Sequence, residues 1–347
     1  MRDFVRLHHG RGDERVGEEQ RQEKGGGTHT GFCQRKHGSH SYLSESPHAM
    51  PITRREFLIG AASAAVCLAA RAQVAEPIID IHQHVDYSGR TDEQLIAHQR
   101  KMGVTHTVLL PAGRFFGLEA TVSGNDRAVE VAQRLPKEFS YFANEVPYLS
   151  EAREEIRRVL KGGAIGIGEQ KFMVDSDSRA VAIVAEIAEE FGVPVLLHFQ
   201  HDRYNTSYER FPRILEKFPK VNFIGHAQTF WANIDAKAKQ PVLYPKGPVT
   251  PGGLTDRFLA DYPNFFADMS AGSGLNALLR DEEHARGFLT RHQDKLMYGS
   301  DCNDAVGEGE KCSGAQMLAA IRRLAGGKEI ERKLLFGNAA RLLRLPV

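Results

Sequence analysis

From Pro77 onward the chain alternates between two hydrophobic periods. Short runs of β-branched and apolar residues are separated by longer stretches with apolar positions three and four apart. The runs predict strands over 78–81, 105–110, 139–143, 164–168, 193–197, 221–225, 264–268 and 295–298. The longer period predicts helices over 92–102, 125–135, 150–160, 179–191 and 208–218, with two more at 315–324 and 330–343 after the last strand. Strands that alternate with helices pair in parallel through right-handed crossovers, and eight such units close most economically into a (β/α)8 TIM barrel of one domain. Residues 236–253, rich in Pro and Gly and without a period, read as a long loop, either a lid or an ordinary surface excursion.

The front of the chain is different. Residues 1–49 are polar and bury too little to offset the entropy of ordering, so they read as disordered or as an extension upstream of the true start. At Met50 the pattern changes to Thr53-Arg54-Arg55-Glu56-Phe57-Leu58, a small apolar run from Ile59, and Ala70-Arg71-Ala72 before Gln73. That order of charge, core and small-residue site over 50–72 reads as a twin-arginine export signal. Its core is well short of the ~20 residues that span a bilayer, so it is a removable signal and not a stable membrane anchor. The expectation is a chain handed to the twin-arginine export machinery and cut between Ala72 and Gln73. Residues 73–347 would then be periplasmic or secreted. With 45 Lys and Arg against 44 Asp and Glu and no basic stripe, nothing points to nucleic acid. Oligomeric state is open.

The candidate chemistry gathers at the strand ends. His82 and His84 follow the first strand, Glu169 the fourth, His198 the fifth, His226 the sixth and Asp301 the eighth. In a barrel all these ends meet at one face, so residues scattered in sequence converge in space. His82 and His84 are two apart, and alternate strand residues point to one side. Imidazole and carboxylate suit a divalent ion, and the lack of thiolates at the strand ends argues against a closed structural zinc site. Glu145 and Asp268 also fall at strand ends without an assigned part. Arg114, after the second strand, is a candidate clamp for a substrate carboxylate. Trp231, close behind His226, is a candidate wall of the substrate pocket, with core packing as the alternative. His201 reads as solvated or substrate-facing. Cys302 and Cys312 follow Asp301 closely and are candidates for a disulfide, for free thiols or for a thiolate ligand.

Taken in order, Ile79-Asp80-Ile81-His82-Gln83-His84, Val193-Pro194-Val195-Leu196-Leu197-His198, Phe223-Ile224-Gly225-His226, Met297-Tyr298-Gly299-Ser300-Asp301 and Gly337-Asn338-Ala339-Ala340-Arg341-Leu342-Leu343 resemble the amidohydrolase superfamily, specifically the amidohydrolase-2 group. The resemblance covers most of residues 77 to 345. It implies that His82, His84, His198 and Asp301 bind a divalent ion, most plausibly zinc, with His226 beside it contacting substrate. Glu169 stands where two-metal relatives carry a bridging group, so it is either a further ligand or a supporting acid. One ion is favoured over two. Asp301 would serve both as ligand and as general base, and His226 as catalytic partner or ligand. The leading expectation is a metal-dependent hydrolase of a lactone, ester or amide in a small molecule. The alternatives are a decarboxylase of an unsaturated or aromatic acid and a non-catalytic metal- or ligand-binding barrel.

Overall fold

Eight strands, β1 (Ile79–Gln83), β2 (His106–Leu109), β3 (Phe139–Tyr141), β4 (Ile167–Gln170), β5 (Val195–His198), β6 (Phe223–His226), β7 (Phe265–Asp268) and β8 (Leu296–Met297), occupy the eight sequence runs. They belong to a computed structural model that describes residues 76–113 and 122–345. The export signal, residues 1–49 and Arg114 therefore lie outside the described residues. Neighbouring strands pair in parallel and in chain order, as two ladders, β1 to β3 and β4 to β8. A parallel bridge between Ala143 and Ile167 joins β3 to β4. The ring closes where Ile81 N donates to Tyr298 O at 3.1 Å and Asp301 N to His82 O at 2.8 Å. The architecture is the (β/α)8 TIM barrel that the alternation implied.

Strand alternation sorts the core into two layers. Ile79, Ile81, Val108, Leu110, Leu196, Ile224 and Met297 fill the barrel, joined by Ala339 and Leu343 of the closing helix Asn338–Leu343. Leu109, Val195, Leu197, Phe223, Phe265 and Leu296 face outward onto helix residues such as Val184, Ile187, Phe288 and Ile321. The helix Arg179–Phe191 shows how its sequence fixes both ends. Ser178 Oγ accepts from Val181 N at 3.4 Å, and Gly192 leaves the helix with φ at 66°.

Two stretches depart from the single helices expected. Over 208–218 the chain forms a 3-10 turn, Tyr208–Arg210, and then a new helix, Pro212–Lys217, because Pro212 has no N–H to continue a ladder and suits a first helical position. Over 330–343 a π-helical segment, Lys333–Gly337, separates Lys328–Arg332 from Asn338–Leu343. There Tyr298 N takes the carbonyl of Leu334 at 2.9 Å, so that turn is widened against the end of β8. Residues 236–253 hold no helix or strand, and the loop is stitched down. Ala236 N donates to Thr250 O, Val249 N to Asp281 Oδ2 and Thr250 N to Asp235 Oδ1.

Two local irregularities decide which side chains face the barrel mouth. On β1, Asp80 pairs with Thr107 and Gln83 with Leu109, so β1 takes three steps where β2 takes two. On β4, Ile167 pairs with Val195 and Gln170 with Leu197, again three steps against two. Each extra residue is a β-bulge that reverses the in-and-out parity beyond it. Ile79 and Ile81 thus face the interior, and His82 and His84 do so as well. Glu169 turns inward by the same device.

Away from the site, Asp256 accepts from His292 Nε2 at 2.6 Å and Arg291 Nη2 at 3.0 Å. Burial raises its carboxyl, but His292 and Arg291 outweigh burial and push it down to about 2. A depressed carboxylate contributes stability above its unfolded value of about 4 and loses it as pH falls through its folded value. Asp256→Asn should therefore be less stable than wild type at neutral pH, with the gap closing between about pH 4 and pH 2. Urea unfolding across that range checks it, and a gap that does not change with pH would refute the pairing.

Candidate metal centre

His82 and His84 enter the site with their tautomers fixed. His82 Nδ1 lies 2.6 Å from Asp268 Oδ2, and His84 Nδ1 lies 2.6 Å from the carbonyl of Leu110. Both partners only accept, so both Nδ1 atoms carry protons and both Nε2 atoms present lone pairs. Those Nε2 atoms are 3.1 Å apart. Two facing lone pairs at that distance repel unless a proton or a metal ion lies between them; burial works against a charged His82 ring, but Asp301 and Asp268 raise it well above the usual imidazole range.

Carboxylates surround this pair. Asp301 Oδ1 lies 3.4 Å from His84 Nε2 and 3.8 Å from His82 Nε2, while Glu169 Oε2 lies 3.7 Å and 3.6 Å from the same atoms. His226 Nε2 completes the group, 3.7 Å from Glu169 Oε1 and 3.6 Å from Asp301 Oδ2. Burial raises all three acids, Glu169, Asp268 and Asp301, but the adjacent imidazoles outweigh it and hold each below the usual carboxylate range. Asp301 Oδ1 is buried without a hydrogen-bond donor. Such an oxygen is costly unless an ion satisfies it. Imidazole nitrogens, ionised carboxylates and an orphaned oxygen at ligand spacing fit a divalent cation.

Asp268 organises the imidazoles. Its Oδ2 receives His82 Nδ1, lies 3.2 Å from His226 Nδ1 and accepts from Ser270 Oγ at 2.8 Å. Ser270 Oγ is also 3.0 Å from His226 Nδ1. This places the His226 proton on Nδ1 and leaves Nε2 facing the acids. Gly299 makes the grouping possible, because a Cβ there would sit 2.3 Å from Asp268 Oδ1 and 3.0 Å from His82 Cβ. Asp301, with φ at 39°, occupies the left-handed region, which Asp tolerates better than most residues.

The intervening Gln83 points the other way and fastens the strand. Its Nε2 donates to Ser300 Oγ and Cys302 O, both at 2.9 Å, and its Oε1 accepts from Arg90 Nη2. Asp80 Oδ1 accepts the backbone N–H groups of His82 and Ser300. Tyr87 stacks edge-on against His84 with ring centroids 5.0 Å apart. The Asp301 charge, then burial, raises its phenol, which stays protonated as a donor beside that carboxylate.

The expected residues are thus unequal. His82, His84, Glu169, His226 and Asp301 come together. His198 stands one step out, with Nδ1 on Glu169 Oε1 at 2.5 Å and Nε2 3.3 Å from Gln200 Oε1. Among the described residues it joins neither of the two close donor groups, His82–Glu169–His226 and His82–His84–Asp301. Trp231 is corrected to the alternative reading, a core residue. It is 1% exposed, packs edge-on against Phe230 and Phe288, and donates Nε1 to Asp268 O at 3.0 Å. His201 is half-buried beside Asp202. Cys302 and Cys312 stand as buried thiols with sulfurs 3.7 Å apart, not as a disulfide. Asp268 was visible as a strand-end acid, whereas nothing in the sequence marked Ser270, Tyr87 or Arg90.

The sequence profile of the amidohydrolase family matches residues 79–345. The chain belongs to that family. Similar solved structures share the fold of this amidohydrolase at low identity. An uncharacterized TIM-barrel protein from Bordetella bronchiseptica is 16% identical with a TM-score of 0.57, over 77% of this chain and 98% of that one. A probable 2-pyrone-4,6-dicarboxylic acid hydrolase from Acinetobacter baumannii is 14% identical with a TM-score of 0.54, over 77% and 99%. A 5-carboxyvanillate decarboxylase from Sphingomonas paucimobilis is 15% identical with a TM-score of 0.53, over 78% and 100%. No curated protein matches the amidohydrolase in sequence.

Groups that orient ligating imidazoles typically account for 10- to 100-fold in metal affinity. Asp268→Asn should accordingly weaken metal binding by about 10- to 100-fold while the barrel stays folded. Competition titration against a chelator measures this, with circular dichroism as the folding control. Unchanged affinity would remove Asp268 from the centre.

Proposed function

We propose that this amidohydrolase is a metal-dependent hydrolase that cleaves a lactone, ester or amide in a small oxygenated molecule. The observation that carries the reading is Asp301, whose two oxygens face different imidazoles. Oδ1 is turned to His84 and His82, and Oδ2 to His226. His82, His84 and Asp301, with Glu169 and His226 alongside, would hold a divalent ion, best zinc, which when bound polarises a carbonyl and brings a water pKa toward ~7. Asp301 accepts the proton of the attacking water at a carboxylate oxygen and passes it to the leaving group. His226, its Nδ1 proton fixed by Asp268 and Ser270, offers Nε2 for ligation or, once protonated, for a hydrogen bond to the oxygen that gains charge. Tyr87, kept protonated by the Asp301 charge and by burial, offers a hydrogen-bond donor at the same corner. Asp301 has the most exposed side chain of the cluster at 13%, so substrate enters on its side.

A second reading, decarboxylation of a small unsaturated or aromatic acid, is equally served by one feature of the mouth. Lys171 lies over the Tyr204 ring at 5.5 Å and close enough to His198 to disfavour its protonation. That cation suits a substrate carboxylate in either reaction. The 2-pyrone-4,6-dicarboxylic acid hydrolase and the 5-carboxyvanillate decarboxylase named above are both named for carboxylated substrates. Incubation with carboxylated lactones and esters, and with carboxylated phenols, separates the two readings. Acid release without carbon dioxide is the expected result, and carbon dioxide release would transfer the assignment to the lyase. Asp301→Asn should lower kcat by about 10²- to 10⁴-fold in the reaction found. A variant as fast as wild type would deny Asp301 its part.

We also propose that residues 50–72 direct export of the folded chain through the twin-arginine route to the periplasm, supported by the Arg54-Arg55 pair, the short apolar core and the Ala70-Arg71-Ala72 site. A bacterial cell expressing the full chain should yield periplasmic protein beginning at Gln73, and replacing Arg54 and Arg55 by Lys should retain it in the cytoplasm. Unprocessed cytoplasmic protein from the wild-type sequence would end this proposal.

A further inference from the structure

A second group of metal-type donors, His98, Cys302 and Cys312, includes the residue that directly follows Asp301. His98 and Met102 are one helical turn apart, at the end of the helix Asp92–Lys101, so their side chains share a face. Cys302 follows Asp301 directly. Cys312 caps the helix Ser313–Leu324, its Sγ accepting from Ala315 N at 3.3 Å. His98 and Cys312 are 0% exposed and Cys302 is 2% exposed.

The contacts around Cys312 match the spacing of ligands in a tetrahedral shell, and the donor atoms of His98, Cys302 and Cys312 all lie within 4.8 Å of one another. Cys302 Sγ and Cys312 Sγ are 3.7 Å apart, Cys312 Sγ and His98 Nε2 3.4 Å, and Cys312 Sγ and Met102 Sδ 3.7 Å. Tetrahedral metal–sulfur bonds of ~2.3 Å and metal–nitrogen bonds of ~2.0 Å place sulfurs about 3.8 Å apart and sulfur and nitrogen about 3.5 Å apart. A disulfide requires ~2.05 Å, so these sulfurs stand apart as separate ligands do. His98 Nδ1 has no hydrogen-bond partner, so the ring is held through Nε2 toward the sulfurs.

We propose that His98, Cys302, Cys312 and Met102 form a second, structural site for a thiophilic closed-shell cation, Zn(II) or Cu(I). Two thiols, a thioether and an imidazole are soft donors of the kind such ions select, whereas the barrel-mouth centre offers imidazole and carboxylate. The site is sealed, which suits a structural role over a catalytic one. An ion there ties the first barrel helix, the end of β8 and the helix Ser313–Leu324 together. It closes the intervening loop, 303–311, as a fixed ring. The carbonyl of Cys302 is already held by Gln83 Nε2 and Arg90 Nη1, so the site anchors the residue next to Asp301 from both sides.

The full chain, reduced and handled anaerobically, is titrated with Co(II) as a zinc surrogate and, separately, with Cu(I). The expected result is a thiolate-to-metal charge-transfer band that saturates at one equivalent in at least one titration. The band should vanish in Cys312→Ser, shift and saturate more weakly in His98→Gln, which keeps both thiols, and persist unchanged in His82→Ala, which removes a donor of the barrel-mouth centre. A Co(II) band assigns the zinc type, and a Cu(I) band alone assigns copper. Absence of a thiolate band with both ions overturns the proposal, as does a band that survives unchanged in both Cys312→Ser and His98→Gln. Recovery of the two cysteines as a disulfide, with no metal bound after reduction, also overturns it.

Discussion

The barrel mouth depends on one buried carboxylate. Asp268 Oδ2 meets His82 Nδ1, His226 Nδ1 and Ser270 Oγ within 3.2 Å. The two imidazole contacts each fix a proton on Nδ1 and so leave Nε2 to face the site, while Ser270 Oγ braces the carboxylate and His226 Nδ1. Without Asp268 the same rings can turn or exchange tautomers, and their Nε2 atoms no longer point at one place. The fully buried anion is costly alone and is tolerated because its donors are themselves buried and well aligned.

The same residues close the barrel. Asp80 and Gln83 sit between the inward residues of β1 and grip Ser300 and Cys302 at the end of β8. Arg90 adds hydrogen bonds to Cys302 O and Asp304 O. The seam between the first and last strands is therefore a polar lock, and His82, His84 and Asp301 are mounted on its two halves. Loosening the seam moves ligands relative to each other. Barrel closure and site geometry are one constraint, because Gln83, between the two histidines, is the residue that ties β1 to the loop carrying Asp301.

Much of this was legible in the sequence, because hydrophobic period is a local property. All eight strands, the closed barrel and the convergence of His82, His84, Glu169, His226 and Asp301 follow from runs and their ends. What was hidden depends on contacts between distant segments. Simple alternation from Ile79 and Ile81 would turn His82 outward, and only the bulge against Thr107 and Leu109 restores it. The inward turn of Glu169 has the same origin, and it brings Glu169 between His198 and the His82–His84 pair. Trp231 looked like a pocket wall because it follows His226 by five positions, yet the helix Ala227–Ala232 carries it back onto Phe288. Ser270 and Tyr87 have no sequence signature, since an isolated hydroxyl acquires meaning only from the groups beside it.

Charge balance gives the mouth its final constraint. Glu169, Asp268 and Asp301 bring three ionised carboxylates into one buried space, and no Lys or Arg side chain is paired with them among the described residues. Protonated imidazole can offset part of that charge, yet His82 and His84 then face each other at 3.1 Å with one proton to share. A divalent cation offsets the charge more fully and removes the repulsion between the two lone pairs. The apolar layer below, from Ile79 to Met297, is close-packed and supports these groups from beneath. Binding then recovers electrostatic energy that folding alone leaves unfavourable, so occupancy of the centre and stability of the barrel mouth rise together.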